Sequence, residues 1–185
     1  MTGAKAALIG MMASGKSAAG AALAQLAGLP FLDADRELEK RAGMTVPDCF
    51  ARLGEAGFRR LERETIRDIL ARPEAIAIAL GGGAYFQPDV RQDLRAGAVT
   101  FYLRLSAGDL VARLEKTDIS ARPMLASVPD WRRRALELAA DRDPVYLLAD
   151  VVIEAAGLAP RQVAERIARH MAGRGWAKEF SGGVA

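Results

Sequence analysis

Gly10-Met11-Met12-Ala13-Ser14-Gly15-Lys16-Ser17 fills every fixed position of the G-x-x-x-x-G-K-[ST] phosphate-binding loop. The chemistry of that pattern is anion capture. Glycines let successive backbone N–H groups turn towards one point, and a following helix adds the positive end of its dipole. Lys16 would bridge the outer phosphates of a nucleotide, and the Ser17 hydroxyl would coordinate Mg²⁺. The flanks have the required character: Ala6-Ala7-Leu8-Ile9 reads as a buried strand and Ser17 to Leu26 as an Ala-rich helix. A chance match in a Gly- and Ala-rich chain would not bring that strand and helix with it.

Other residues are less specific one by one. Asp33-Ala34-Asp35 closes a short apolar run, Pro30 to Asp33, that reads as a second strand. The later run Ala75 to Leu80 ends without an acid, so this pair is the candidate to hold the waters of a metal. If the strand persists, the two carboxylates point opposite ways, one to a metal and one to a substrate hydroxyl; an Asp-rich turn is the plainer alternative. Gly81-Gly82-Gly83 stops a strand at the carboxyl edge of a sheet, where ligands collect and where glycine lets a ligand approach closely. It also reads as a simple turn. Arg59 and Glu62 share a helix face and can pair, or form a surface ion pair of little consequence. Arg142 reads equally as a solvated helix charge and Arg122 as a loop charge. His170, alone of its kind, suits a helix C-terminus, and Cys49 reads as a small core residue.

The elements that must position these groups alternate along the chain. Strands are predicted at Ala6–Ile9, Pro30–Asp33, Ala75–Leu80, Val99–Leu103 and Val151–Ile153. Thr45 with Pro47 opens a short helix that Gly54 ends, and a longer one runs from about Ala56 to Leu70 with Phe58, Leu61, Thr65, Ile66 and Ile69 on one face. Further helices are predicted over Pro88–Gly97, Trp131–Leu148 and Pro160–Met171, with Arg132-Arg133-Arg134 on a solvated face. Strands alternating with helices predict an α/β fold with a parallel sheet covered on both faces. The chain has 185 residues, 51% hydrophobic and 26% charged, which is enough for one compact domain with a sizeable core. Its net charge of +3 is mildly basic, as phosphate handling needs, without demanding nucleic acid. One cysteine permits no intrachain disulfide, which fits a reducing cytoplasm. Lys16 interrupts the apolar N-terminal run short of a membrane span, and removal of that run as a signal peptide would discard the phosphate loop.

Taken in order, these pieces resemble the shikimate kinases over about residues 5 to 171. The resemblance rests on the phosphate loop in its Gly-Met-Met-x-x-Gly-Lys-Ser form, Phe31-Leu32-Asp33-Ala34-Asp35 with Glu39 following, and Gly54-Glu55-Ala56-Gly57-Phe58-Arg59-Arg60-Leu61-Glu62. It continues through the triple glycine, Arg122-Pro123-Met124-Leu125 and Arg142-Asp143-Pro144-Val145-Tyr146. It implies a P-loop kinase fold, with five parallel strands in the order 2-3-1-4-5, helices on both faces, and a mobile lid over about 115–127. A single domain would span 1–172, and 173–185 would fray. The implied activity is ATP-dependent phosphorylation of the shikimate 3-hydroxyl, a step of aromatic amino-acid biosynthesis.

Residue by residue, the resemblance implies that Gly10, Met11, Met12, Ala13, Ser14, Gly15, Lys16 and Ser17 bind the nucleotide. Lys16 serves the phosphates, Ser17 the Mg²⁺, and Asp33 the metal through water. Asp35 binds a shikimate hydroxyl and is the candidate base. Arg59 and Arg142 hold the shikimate carboxylate, with Glu62 orienting Arg59, and Gly82 and Gly83 offer close backbone contact. Arg122 reaches the nucleotide from the lid and joins the catalytic set. ATP and Mg²⁺ are the implied cofactors, in a cytoplasmic monomer that binds neither nucleic acid nor membrane. Three positions depart from the family pattern. Ala13 stands for a glycine and would be strained if φ there is positive. Glu115 stands where a basic residue usually lies seven before the lid arginine, and Leu80 stands where threonine is frequent. A kinase of another polyol acid such as gluconate, or a catalytically weakened nucleotide-binding regulator, are the alternatives.

Overall fold

Strand β1 (Lys5–Ile9) is buried along its whole length and forms the middle of a five-stranded sheet. The computed structural model describes residues 3–119, 123–126 and 128–176. The other strands are β2 (Phe31–Asp33), β3 (Ile76–Ala79), β4 (Val99–Arg104) and β5 (Val151–Glu154). All neighbours pair in parallel in the order β2-β3-β1-β4-β5, the order the family resemblance implies. Alternate residues feed two cores, as period-2 strands buried on both faces must. Ala7, Ile9, Ile76, Ile78 and Tyr102 pack with α3 (Val46–Ala71), α4 (Pro88–Gly97) and α7 (Trp131–Tyr146). Ala6, Leu8, Ala77, Phe101 and Leu103 pack with α1 (Lys16–Ala27) and α8 (Pro160–Met171).

Local chemistry sets the helix ends. Thr45 Oγ1 accepts from the Asp48 N–H at 3.3 Å and caps α3, with Pro47 in its first turn. Gly54, at φ 65° and ψ 177°, leaves helical space and divides α3 into the short and long pieces expected from the sequence. α8 keeps its expected bounds, whereas α7 ends two residues early, at Tyr146, just past Pro144. Lys5 is an unannounced feature. Its buried ammonium donates to the carbonyls of Gly3, Arg72 and Glu74 at 2.8–2.9 Å and ties β1 to the turn that precedes β3.

The second strand ends at Asp33, as expected, and helix α2 (Ala34–Ala42), which the sequence reading did not anticipate, starts at once. This helix buries only Ala34 and Leu38, too few apolar residues to mark a helical period. Its signal was charge: acids in the first turn and Lys40 and Arg41 in the last, matching the helix dipole. The stretch read as an irregular lid contains a helical turn, α6 (Pro123–Ala126), and follows α5 (Ala107–Leu114). Glu115, at the end of α5, pairs with Arg132 at 2.9 Å rather than facing a ligand. Arg122 lies outside the described residues, as do 177–185 of the expected tail; Ala172–Trp176 adds a wide π-type turn to α8.

Candidate active site

The carboxyl edge of the sheet gathers most of the groups singled out from the sequence. β1 runs into the phosphate loop, and Gly15 enters α1 at φ 93°. Ala13 holds φ at 61°, the strained conformation anticipated for this departure from glycine. Lys16 Nζ donates to the Gly10 and Met11 carbonyls at 2.9 and 3.0 Å, so the ammonium lies across the loop. Ser14 is buried, and its hydroxyl has no hydrogen-bond partner among the described residues.

Beside the loop, β2 delivers Asp33 in register with Ala79 of β3. Asp33 caps α2 by accepting the Asp35 N–H at 3.1 Å, and its other oxygen accepts from Ser17 Oγ at 2.7 Å. A hydroxyl and a carboxylate side by side form a hard-oxygen donor pair. Such a pair would fit a Mg²⁺ that takes one or two protein oxygens and completes its shell with water and phosphate. The turn into α2 brings Asp35 to the same edge. Burial, reinforced by the Asp33 charge, raises its pKa above the ordinary carboxylate value; Lys16 and Arg59 offset part of that rise.

The second half of the site comes from α3, the triple glycine and α7. Arg59 Nη1 donates to Glu62 at 2.7 Å, so the pair read from the sequence forms, and it is not a surface pair: Glu62 is 4% exposed. Burial raises the Glu62 pKa, against the opposing charge and hydrogen bond of Arg59. The glycines admit these side chains. A Cβ on Gly81 would sit 2.6 Å from Asp35 Oδ1 and 3.0 Å from Glu62 Oε1, and one on Gly83 would sit 2.7 Å from Arg59 Nη1. Arg142 Nη1 lies 3.5 Å from the Gly82 carbonyl, which also accepts from Tyr146 Oη. Arg59 and Arg142 line one cleft of about 420 Å³ with Gly83, Glu55, Phe86 and Gln87. Each guanidinium also lies over an aromatic ring, Arg59 5.3 Å from the centroid of Phe58 and Arg142 5.3 Å from that of Phe86. Asp143, next to Arg142, is fixed by Arg104 at 2.8 Å and Tyr102 at 2.7 Å, which steadies this end of α7.

Sequence reasoning missed Arg113. Its guanidinium donates to the Ser14 carbonyl at 3.0 Å and the Ala155 carbonyl at 2.9 Å, joining α5, the phosphate loop and the end of β5. Among the described residues a basic group therefore stands beside the loop at position 113, while Glu115 keeps the departure noted from the sequence. The helical face was the signal for it, because Arg113 follows the buried Leu110 by three residues. His170 lies on α8 with its ring against Phe101 and takes no part in the site.

Comparison with known proteins agrees with this geometry. The family model described as shikimate kinase matches residues 12–172. The shikimate kinase of Pseudomonas syringae pv. tomato is 40% identical over 166 residues, covering 89% of this chain and 94% of that protein. That of Methylococcus capsulatus is 39% identical over 161 residues, covering 86% and 88%. A solved shikimate kinase from Acinetobacter baumannii, in complex with shikimate, superposes with a TM-score of 0.83 at 32% identity over 94% of this chain and 95% of that one. A gluconokinase from Sinorhizobium meliloti shares the fold at a TM-score of 0.60, with only 18% identity. On the family match and these identities over most of both chains, the protein belongs to the shikimate kinase family.

Proposed function

We propose that this protein transfers the γ-phosphoryl group of ATP to the 3-hydroxyl of shikimate. The observation that carries the reading is the gathering of Asp35, Glu62 and Arg59 around Gly81–Gly83, beside a complete phosphate loop, in a chain of this family. Gluconate as the acceptor has only a fold-level likeness behind it, and a non-catalytic regulator leaves Asp35 without a role. No helix among the described residues is long and apolar enough to cross a membrane. We place the enzyme in the cytoplasm, whose reducing state its single cysteine fits, and propose that it acts as a monomer.

ATP would supply the phosphoryl group; Ser17 and Asp33 would hold a Mg²⁺, which would supply charge neutralisation. The chain's own residues bind, align and move one proton. The loop N–H groups of Gly10–Ser17 and the Lys16 ammonium face the developing negative charge, which is the main demand of phosphoryl transfer. Arg59 and Arg142 receive the acceptor's carboxylate through charge-assisted hydrogen bonds and so fix the ring. Gly82 and Gly83 let the ring lie against backbone. Asp35 accepts the proton of the attacking hydroxyl as that oxygen bonds to phosphorus and the bond to ADP breaks. By the family resemblance Arg122, which lies outside the described residues, would add positive charge at the nucleotide.

The test is single-turnover phosphoryl transfer by the unmutated protein and by Asp35→Asn, with shikimate and gluconate as acceptors. We expect transfer to shikimate, a loss of at least ~100-fold in the variant, and retained ATP affinity. Transfer to gluconate alone, or an Asp35→Asn rate equal to the parent's, overturns the assignment.

A further inference from the structure

Gln87 holds the N-cap position of α4, yet its side chain does not cap that helix. Capping side chains are short and turn back to the N2 or N3 N–H, which glutamine is ill suited to do. Its amide donates instead to Glu62 Oε2 at 2.8 Å. The same oxygen accepts from Arg59 Nη1. Glu62 is buried, so these two donors, and not bulk water, set the orientation of its carboxylate. A competitor for Arg59 stands close by: Glu55 Oε1, on a well-exposed side chain, is 3.7 Å from Arg59 Nε. The helices that carry the two partners are held in register by Arg63–Asp89 at 2.5 Å and Arg67–Asp93 at 2.6 Å. Those exposed pairs contribute alignment more than stability.

We propose that Gln87 is a positioning residue of the acceptor site: its amide clamps Glu62, and Glu62 thereby keeps Arg59 turned to the cleft and away from Glu55. The inference rests on Arg59 being a ligand of the acceptor's carboxylate. Without the amide, Glu62 is less well satisfied, and Arg59 divides its time between two carboxylates. The acceptor then meets a less organised guanidinium, while the phosphate loop is untouched.

Steady-state kinetics of Gln87→Ser, Gln87→Glu, Arg59→Ala and the Arg59→Ala/Gln87→Ser double variant test this. Serine suits the cap position, which offsets the loss of the amide's bond to the buried Glu62, so the thermal midpoint of Gln87→Ser should stay near the parent's. Its KM for shikimate should rise on the order of fivefold, as loss of one hydrogen bond implies, while kcat and the KM for ATP stay within about twofold. Gln87→Glu keeps the size but places a second carboxylate against Glu62, so its KM for shikimate should rise further. In the Arg59→Ala background, Gln87→Ser should add nothing, because the amide acts through Arg59. If Arg59→Ala raises the KM for shikimate and Gln87→Ser does not, the proposal alone is overturned. If the serine effect persists undiminished without Arg59, the amide acts by another route and the proposal is again wrong. If Arg59→Ala leaves the KM for shikimate unchanged, the carboxylate-clamp reading fails and takes this inference with it.

Discussion

Replacing Ala13 with glycine should make this protein more stable. Ala13 sits at φ 61°, the only non-glycine residue with positive φ among the described residues. For an L-residue with a Cβ that conformation costs about 1–2 kcal/mol. Glycine removes the strain but gives the unfolded chain more freedom, which costs about 0.4–1 kcal/mol. The methyl is partly buried against the core on the α3 side, so its loss subtracts a further fraction. The balance is a gain of about 0.5–1 kcal/mol, or roughly 1–4 °C in the midpoint for a chain of this size. Thermal unfolding without ligand reads it directly. Ala13→Val supplies the opposite sign, because a β-branched residue tolerates positive φ worse than alanine. ATP affinity of the glycine variant should hold or improve, since the Ala13 carbonyl keeps its place 3.4 Å from Arg113. A midpoint for Ala13→Gly at or below the parent's would refute the strain argument.

Further outcomes follow from two groups beside the loop. Arg113→Ala removes the donor to the Ser14 and Ala155 carbonyls, so ATP affinity by calorimetry should fall on the order of tenfold while shikimate affinity holds; Arg113→Lys should recover little, since one ammonium cannot reproduce the planar fork. The pKa of Asp35 is raised chiefly by burial, and a base must be deprotonated, so kcat should climb with pH through a pKa higher than that of an ordinary Asp. The linkage sign is fixed by the same shift. The folded state holds the Asp35 proton more tightly than the unfolded chain, so this group's contribution to stability is present at low pH. It is lost as pH rises from the unfolded pKa through the raised one. Asp35→Asn should therefore unfold at a higher temperature than the parent at neutral pH, with the gap closing below the ordinary carboxylate pKa; an equal gap at both pH values would count against it.

What the sequence disclosed depended on the kind of signal each feature leaves. The phosphate loop, the five strands and the bounds of α8 rest on backbone requirements, and backbone requirements leave local patterns: glycine spacing, apolar runs, a proline at a first turn. Arg59 and Glu62 were legible as an i,i+3 pair, but whether the pair was buried was not, because its neighbours Asp35 and Gly81 come from other elements. Helix α2 escaped notice because it buries two residues and its remaining signals are charges. Arg113 and Gln87 escaped notice for a different reason. Each acts on a partner distant in sequence, Arg113 on a carbonyl 99 residues away and Gln87 on a carboxylate 25 residues away. No local period encodes such a contact.

The triple glycine shows how the two halves of the site are joined. The sequence pointed to Gly82 and Gly83 as the places of close approach, yet the three positions differ. A Cβ on Gly81 would press on both carboxylates, and one on Gly83 would press on the Arg59 guanidinium, whereas one on Gly82 would meet nothing nearer than 3.8 Å. That nearest atom is Arg142 Nη1, and the next, at 3.9 Å, is the carbonyl of Gly10 in the phosphate loop. Gly82 thus lies between Arg142, which lines the cleft, and the phosphate loop. Gly81 and Gly83 are bare because charged side chains press against them, whereas a Cβ on Gly82 would stand in ordinary contact with Arg142 and Gly10. A run of three identical residues therefore answers unequal demands: Gly81 and Gly83 leave space for Asp35, Glu62 and Arg59, while Gly82 has no such steric need.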